Sequence, residues 1–472
     1  MISRSDVIAA IDAAEETFSW CFAFLRDADG IAHDRPNLYA FQSKLTHALF
    51  KLNQAYRAIR AERNLLISRK VRYKEAWFRA RMAQLDQYAK AVTFAIGNGR
   101  ELGDGFAWLF YRDETALLEE HTRHQRQLLL PPNVGGLGER TFIDRMQGFA
   151  GTFILYHAIT SFLRLGDFSF FDPDSGRIET IAELKTRHIA DDHYEFTLAF
   201  SFGRDSPLAE RLRRTPEPTT SQPALGLDSV TQHKLDRQVH QMTAALQKRD
   251  TQPGRSTLNA PGNFHYDALD KVIRSSTPRA MVFGKAGNGL LLAAWRPRPQ
   301  KSLGKRMMRN AASLTKPMDP LRTQVENIMS SDFEDNCLFV GSLGNTENGF
   351  PTMLHGAIPL VWWPVENAEL RDLLFHHVHV TTVFNPAHLW NRMRSKGFTV
   401  TIGDRSRVRE VTRRINGNTL KIHHFQHFQQ LVEYTLMDDG AVADLLDAFV
   451  QQATAVANQK PIRIGLHTRL TL

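Results

Sequence analysis

Cysteine is almost missing from this 472-residue chain: Cys21 and Cys337 are the only two. They are too few and too far apart in sequence for a disulfide scaffold or a thiolate metal site, and they point to a reducing, cytoplasmic setting. Long apolar runs are missing too. The longest, AIPLVWWPV around Trp362, is about half of the roughly 20 residues a membrane helix requires, so neither a span nor a membrane partner is expected. The opening MISRSDVIAAIDAAEETF carries acids and lacks the apolar block and small-residue cleavage site of a signal peptide, so it reads as the start of the fold. A G-x-x-x-x-G-K-S/T element is absent, which argues against P-loop hydrolysis of ATP or GTP. Neither G-x-S-x-G nor H-E-x-x-H occurs, so a serine hydrolase or zinc protease has no support. Acids are outnumbered, 50 against 59 bases, for a net charge of +9. That excess suits a polyanionic partner, because Lys and Arg release condensed counterions when they bind phosphates.

What is present is the composition of a folded protein, 42% apolar and 23% charged. The length suggests two to four domains. Residues 1–96 read as a helical bundle and basic arm. Apolar positions recur at helical spacing through Val7, Ile11, Phe18, then Phe41, Leu45, Leu52, then Phe78, Leu85 and Val92. Arg69, Lys70, Arg72, Lys74 and Arg79 lie in a run with few acids, which could follow a phosphate backbone. Residues 97–138, rich in glycine and aromatics, read as a structured connection. From 139 to 295 the expected order is α-β-β-β-α-β: the helical stretch ERTFIDRMQGFAGTFILYHAI, strands near 168–171, 178–185 and HYEFTLAFSF, a helix near 228–249, and the pair RAMVFGK and GLLLAAW around AGNG. Residues 296–322 read as an exposed basic loop containing Lys305, Arg306 and Arg309. From 323 to 472 a separate α/β region follows, with strands CLFVGSL, IPLVWWPV, VHVTTVF and FTVTIGD. The fold class is therefore multi-domain α/β. Histidines in HHVHV and HHFQHF have apolar neighbours and no accompanying acids, so they read as packed or surface residues.

The stretch LGDFSFFDPDSGRIETIAELKT sets charge into apolar strands. Glu183 and Lys185, two apart on a strand, project from one face, and a hairpin turning at DPDSG would bring Asp167 beside them. Asp172 and Asp174 then sit at the hairpin tip as turn residues. Two acids and one ammonium form a patch that suits a hard cation, which completes its shell with water and substrate phosphate.

Here the chain resembles the PD-(D/E)XK nuclease superfamily, which includes many restriction endonucleases. The likeness covers about residues 139–295 and rests on GD at 166–167, the DPDSG turn, IAELKT at 181–186 and the element order. It implies a restriction-endonuclease-like core with a mixed sheet. It implies Asp167 and Glu183 as ligands of Mg²⁺, or of Mn²⁺ in its place, with the Leu184 carbonyl as a further ligand, Lys185 serving the attacking water and Glu139 as the extra acid on the preceding helix. The signature's proline is replaced by Gly166. The implied activity is phosphodiester hydrolysis, with DNA expected before RNA and restriction or anti-phage defence as the setting. The alternative is a non-catalytic nucleic-acid-binding or scaffold subunit with a degenerate nuclease fold. Cutting both strands with one site per chain would favour a homodimer, and the C-terminal region is the candidate surface for a protein partner.

Overall fold

The computed structural model describes the chain except residues 28–34, 123–129, 131–132, 147, 191–192, 204–205, 215–228, 252–256, 262, 279, 312–318, 344–357, 404–406, 416, 424, 457–466 and 472. It divides into two compact units, Met1–Pro253 with Ser302–Ala312, and Gly254–Lys301 with Ser313–Leu472.

The first unit opens with α1 (Arg4–Arg26), α2 (Arg35–Ser68) and α3 (Glu75–Tyr111). A capping box starts α1: the Asp6 amide donates to Ser3 Oγ at 3.1 Å and the Ser3 amide to Asp6 Oδ2 at 2.8 Å. Their shared core is aromatic, with Phe41 stacked on Phe106 at 4.3 Å between centroids. The helical arm expected to stop near 96 continues to Tyr111 through GNGRELGDGF. Glycine here serves close packing: a Cβ on Gly103 would lie 2.0 Å from the Ile159 carbonyl oxygen.

After α4 (Thr115–Thr122) and α5 (Asn133–Arg145) comes a sheet of β1 (Phe153–Tyr156), β2 (Phe168–Asp172), β3 (Arg177–Ala190) and β4 (His193–Phe202), in that spatial order. Every pairing is antiparallel, so the mixed sheet expected from the nuclease likeness is not what forms. The helix expected to run through FILY ends at Arg145, and FILY becomes β1 with all four residues buried. A short apolar run buried on both sides carries no periodicity to separate helix from strand. Then follow α6 (Pro207–Arg214) and α7 (Ser229–Thr251). A Cβ on Gly138 of α5 would meet the Thr186 side chain at 2.1 Å, while Gln238 of α7 bonds Lys185. Adjacent strand residues face opposite ways, so the two helices cover opposite faces of β3.

Two further expectations change. The pair RAMVFGK and GLLLAAW does not close the first sheet. It forms a hairpin, Val282–Ala286 and Leu290–Trp295, in the second unit, where the inner strand also pairs with His379–Phe384. Leu290 to Ala294 are all buried, which requires a partner on each side. The basic loop also carries hidden structure: Leu303–Ala311 is a helix of the first unit. Leu303, Met307 and Met308 are buried, and α1 caps the helix, with Glu15 Oε2 accepting from the Leu303 amide at 2.9 Å and Asp12 Oδ1 from Gly304 at 2.7 Å.

The second unit holds that four-stranded antiparallel sheet, a three-stranded antiparallel sheet (Phe398–Ile402, Val408–Ile415, Asn418–Ile422) and a parallel pair, Thr257–Pro261 with His467–Thr471. IPLVWWPV is not a strand; Leu360–Trp362 is one 3₁₀ turn bracketed by prolines. Asn385 caps the helix Ala387–Ser395, accepting from the Ala387 amide at 3.2 Å. His379 stacks on Trp295 at 4.8 Å, as a packed histidine should. No helix among the described residues is long and apolar enough to cross a membrane.

Candidate nuclease site

Asp167 stands where the chain enters β2, and its backbone is clamped from two sides. Its amide donates to the Ala182 carbonyl and its carbonyl accepts from the His157 amide, both at 2.9 Å. Across the hairpin, the Leu184 amide donates to Asp167 Oδ2 at 2.9 Å. A strand residue's N–H and C=O point to the same neighbour, so the Leu184 carbonyl also lies on the Asp167 side. Glu183 and Lys185 share the other register of β3 and form an ion pair at 2.7 Å, with the Glu183 side chain almost fully buried.

Gln238 on α7 closes this pair into a triangle. Its Nε2 donates to Glu183 Oε1 at 2.8 Å and its Oε1 accepts from Lys185 Nζ at 3.3 Å. Glu139, buried on α5, accepts a hydrogen bond from the Tyr156 hydroxyl at the end of β1. Asp167, Glu183 and Lys185 are thus brought together on the hairpin, while Glu139 comes from α5 and is near enough for its charge to act on Asp167.

The acids repel one another. Burial pushes Glu139 up to about 7, with the Glu183 charge adding to the rise and the Tyr156 hydrogen bond and Lys185 opposing it. Burial, then Glu183 and Glu139, hold Asp167 well above the usual carboxylate range. Among the described residues, Asp167 Oδ1 and Glu183 Oε2 accept no hydrogen bond. These two oxygens, beside a backbone carbonyl, fit a hard cation that keeps most of its water. No group of three acid, histidine or cysteine side chains suited to an all-protein cage occurs among the described residues.

A buried relay holds the turn before Asp167. His121 Nδ1 accepts from the Arg164 and Leu165 amides at 3.1 and 3.0 Å, so its Nε2 carries the proton and donates to Tyr111. Tyr111 then donates to Ser169, and Ser169 to His157 Nε2 at 2.6 Å. His157 Nδ1–H donates to the Gly166 carbonyl at 2.9 Å. Burial lowers His157 to about 4, which keeps the ring neutral as this order requires. Gly166 itself has φ +72°, so proline, fixed near −65°, could not occupy this backbone.

The cluster borders a cleft of about 400 Å³ lined by Arg164, Lys185, Lys234, Arg237, Gln238 and Gln241 among others. Lys234 and Arg237 are exposed on α7 and have no ion-pair partner among the described residues. No family model, curated protein or solved structure matches this chain. The nuclease likeness therefore stands on these residues and their geometry alone.

The candidate phosphate-binding bases divide. Arg69, Lys70, Arg72, Lys74 and Arg79 are exposed around the short turn between α2 and α3, and Arg79 pairs with Glu75. Lys305 is exposed. Arg306 is buried in an ion pair with Glu15 at 2.5 Å, and Arg309 is half-buried against Asn310, so these two do not form a shared basic surface with it. Asp172 is buried between Ser175 and Arg211 at the hairpin turn, a structural role. The sequence did not single out Gln238, Tyr156 or the His121–His157 relay. Gln238 is one polar residue among several on an amphipathic helix, and only the fold shows which of them meets β3.

Proposed function

We propose that this chain is a Mg²⁺-dependent nuclease hydrolysing phosphodiester bonds, with DNA the expected substrate. The observation that carries the reading is the meeting of Asp167, Glu183 and Lys185 on the β2–β3 hairpin, with Lys185 lining a basic cleft and the Glu139 charge felt at Asp167. The chain runs α5, β1, β2, β3, β4, α6, α7; the succession α5, β2, β3, β4, α7 within it supports the restriction-endonuclease-like likeness, while β1, α6 and the placing of the expected last strand in the second unit depart from it. A role in restriction or phage defence follows from that likeness alone.

Asp167 Oδ1, Glu183 Oε2 and the Leu184 carbonyl would hold the cation. Once bound, Mg²⁺ supplies charge that activates water and stabilises the phosphorane-like transition state. Lys185, held by Glu183 and Gln238, donates to the attacking water and keeps it in line with the phosphorus. The new bond joins water oxygen to phosphorus and the bond to the leaving ester oxygen breaks. The water's proton passes to solvent, and the leaving oxygen regains one. Lys234, Arg237 and Arg164 on the cleft wall match the negative charge of flanking phosphates.

Purified protein incubated with plasmid, linear duplex or labelled RNA, with Mg²⁺ or Mn²⁺, tests this directly. Wild type should cut DNA, and Asp167→Ala and Lys185→Ala should each lower the rate by at least about a hundredfold. Failure of wild type with either metal would leave the non-catalytic scaffold as the better reading. Cutting that survives both substitutions would remove these residues from the site.

A further inference from the structure

The turn between α2 and α3 exposes what soluble surfaces normally hide. Leu65 and Ile67 are each 46% exposed, Val71 96% and Trp77 40%, all within one short stretch. Such a concentration of apolar surface marks an interaction site. Around it stand five bases, Arg69, Lys70, Arg72, Lys74 and Arg79, against the single acid Glu75. Arg69, Arg72 and Lys74 have no ion-pair partner among the described residues. Two neighbouring bases are used internally, Arg63 on Asp86 at 3.0 Å and Arg81 on Glu62 at 2.5 Å. Unpaired positive charge gathers most densely at the tip, with Lys51 and Arg60 exposed further along α2.

Tyr73 and Trp77 stack there at 4.8 Å with 30° between their planes, and both rings are at least partly exposed. Lys70 Nζ lies 5.7 Å from the Phe78 ring, so base and aromatic are interleaved. Aromatic faces flanked by unpaired cations fit unstacked nucleobases on a charged backbone. A duplex hides its base faces within its own stack, so it offers this surface little beyond phosphate. Val71, nearly fully exposed between Lys70 and Arg72, has the character of an apolar wedge against bases. The tip and the cleft belong to one unit, and α3 runs unbroken from the tip to Tyr111, which bonds Ser169 behind the site. At 1.5 Å per residue, that helix separates them by roughly 50 Å. Two basic surfaces on one rod suit a single extended polyanion.

We infer that the α2–α3 tip is a docking surface for single-stranded nucleic acid, stacking bases on Tyr73 and Trp77 at a distance from the cleft. This rests on the nuclease reading for its purpose and on the tip's own surface for its binding.

The test measures binding of a fluorescent 20-nucleotide single strand to the full chain in EDTA, separately from cutting. Trp77→Ala and Tyr73→Ala should each weaken binding about tenfold, and Trp77→Phe should recover most of the loss. Arg72→Ala with Lys74→Ala should lower the salt slope by about 0.7 for each lost phosphate contact. Lys185→Ala should bind as wild type while failing to cut. On a duplex with a long single-stranded tail, Trp77→Ala should raise KM and leave kcat unchanged. Circular dichroism of each variant checks that its fold is retained. Wild-type affinity in the folded Trp77 and Tyr73 variants overturns the inference even where the enzyme cuts. So does binding to phosphatidylserine vesicles with none to the oligonucleotide. Loss of oligonucleotide binding in those variants sustains the docking surface even where wild type cuts nothing, and in that case it is the nuclease reading that falls.

Discussion

Replacing Glu139 by glutamine should stabilise the metal-free protein, and the gain should grow with pH. Glu139 is buried among like charges, and its carboxyl is pushed from the ordinary 4.5 up to about 7. Between those values the unfolded chain has lost this proton while the folded chain retains it. Stability therefore falls as pH rises through the window, and the loss is complete above the folded value. A rise of that size corresponds to about 3 kcal/mol. Glutamine keeps an acceptor for the Tyr156 hydroxyl and carries no charge, so the variant escapes the loss. For a unit of this size that is about 5–10 °C in Tm at pH 8 and close to nothing at pH 4.

The assay is thermal unfolding of wild type and Glu139→Gln in EDTA from pH 4 to pH 8. The quantity to read is the difference between them, because His157 acts oppositely. Its folded value is lowered to about 4, so its contribution is present above its unfolded value near 6.5 and is lost as pH falls towards 4. That term is common to both proteins and cancels in the comparison. A difference that stays constant with pH, or that shrinks as pH rises, would refute the electrostatic reasoning.

Divalent cation should act on the same charges. Mg²⁺ in hundredfold excess over its dissociation constant should stabilise wild type by about 2.7 kcal/mol, read as a rise in Tm; Asp167→Asn should lose most of that rise. Gly166→Ala forces φ +72° on an alanine whose Cβ would lie 2.7 Å from Ile181 Cγ2 and 2.8 Å from the Ala182 carbonyl oxygen. It should cost about 1–3 kcal/mol in denaturant unfolding and shift Asp167 enough to lower cutting. Phe106→Ala removes a fully buried ring stacked on Phe41 and packed at an angle against Phe110 and Phe153. About 3–5 kcal/mol of stability should go with it, and an unchanged denaturation midpoint would show that the helical core repacks.

What the sequence made legible follows from periodicity and local chemistry. The three N-terminal helices show in their apolar spacing, and the β2–β3 hairpin shows in DPDSG between two apolar runs, which was enough to bring Asp167 to Leu184. What it hid depends on partners distant in the chain. GNGRELGDGF looks like a helix breaker until Ile159 is seen packed against Gly103. KSLGKRMMRN looks like a solvated loop until α1 supplies Asp12 and Glu15 to its helix N-terminus. RAMVFGK and GLLLAAW are a hairpin as their turn suggests, and which sheet they join is decided by His379–Phe384, some 85 residues onward. The lost proline signal at Gly166 has a local cause, since a left-handed backbone there excludes proline.

The charge balance of the site bears on the choice between enzyme and scaffold. Three carboxyls face one ammonium, and two of them, Glu139 and Asp167, are held above their ordinary range by burial and mutual repulsion, a local cost in the metal-free chain. A scaffold gains nothing to offset that cost; glutamine at 139 would keep the Tyr156 bond without it. A cation held by Asp167 and Glu183, as proposed, would recover the cost, because the charges that destabilise the empty cluster would then hold the ion. The surrounding structure also adds constraint there: the His121–Tyr111–Ser169–His157 relay holds the 164–167 turn, and Gln238 holds the Glu183–Lys185 pair. Rigid support gathered around an unfavourable cluster of charge, with Lys185 opening onto a basic cleft, is what phosphoryl chemistry would use, and it favours the proposed enzyme over a scaffold.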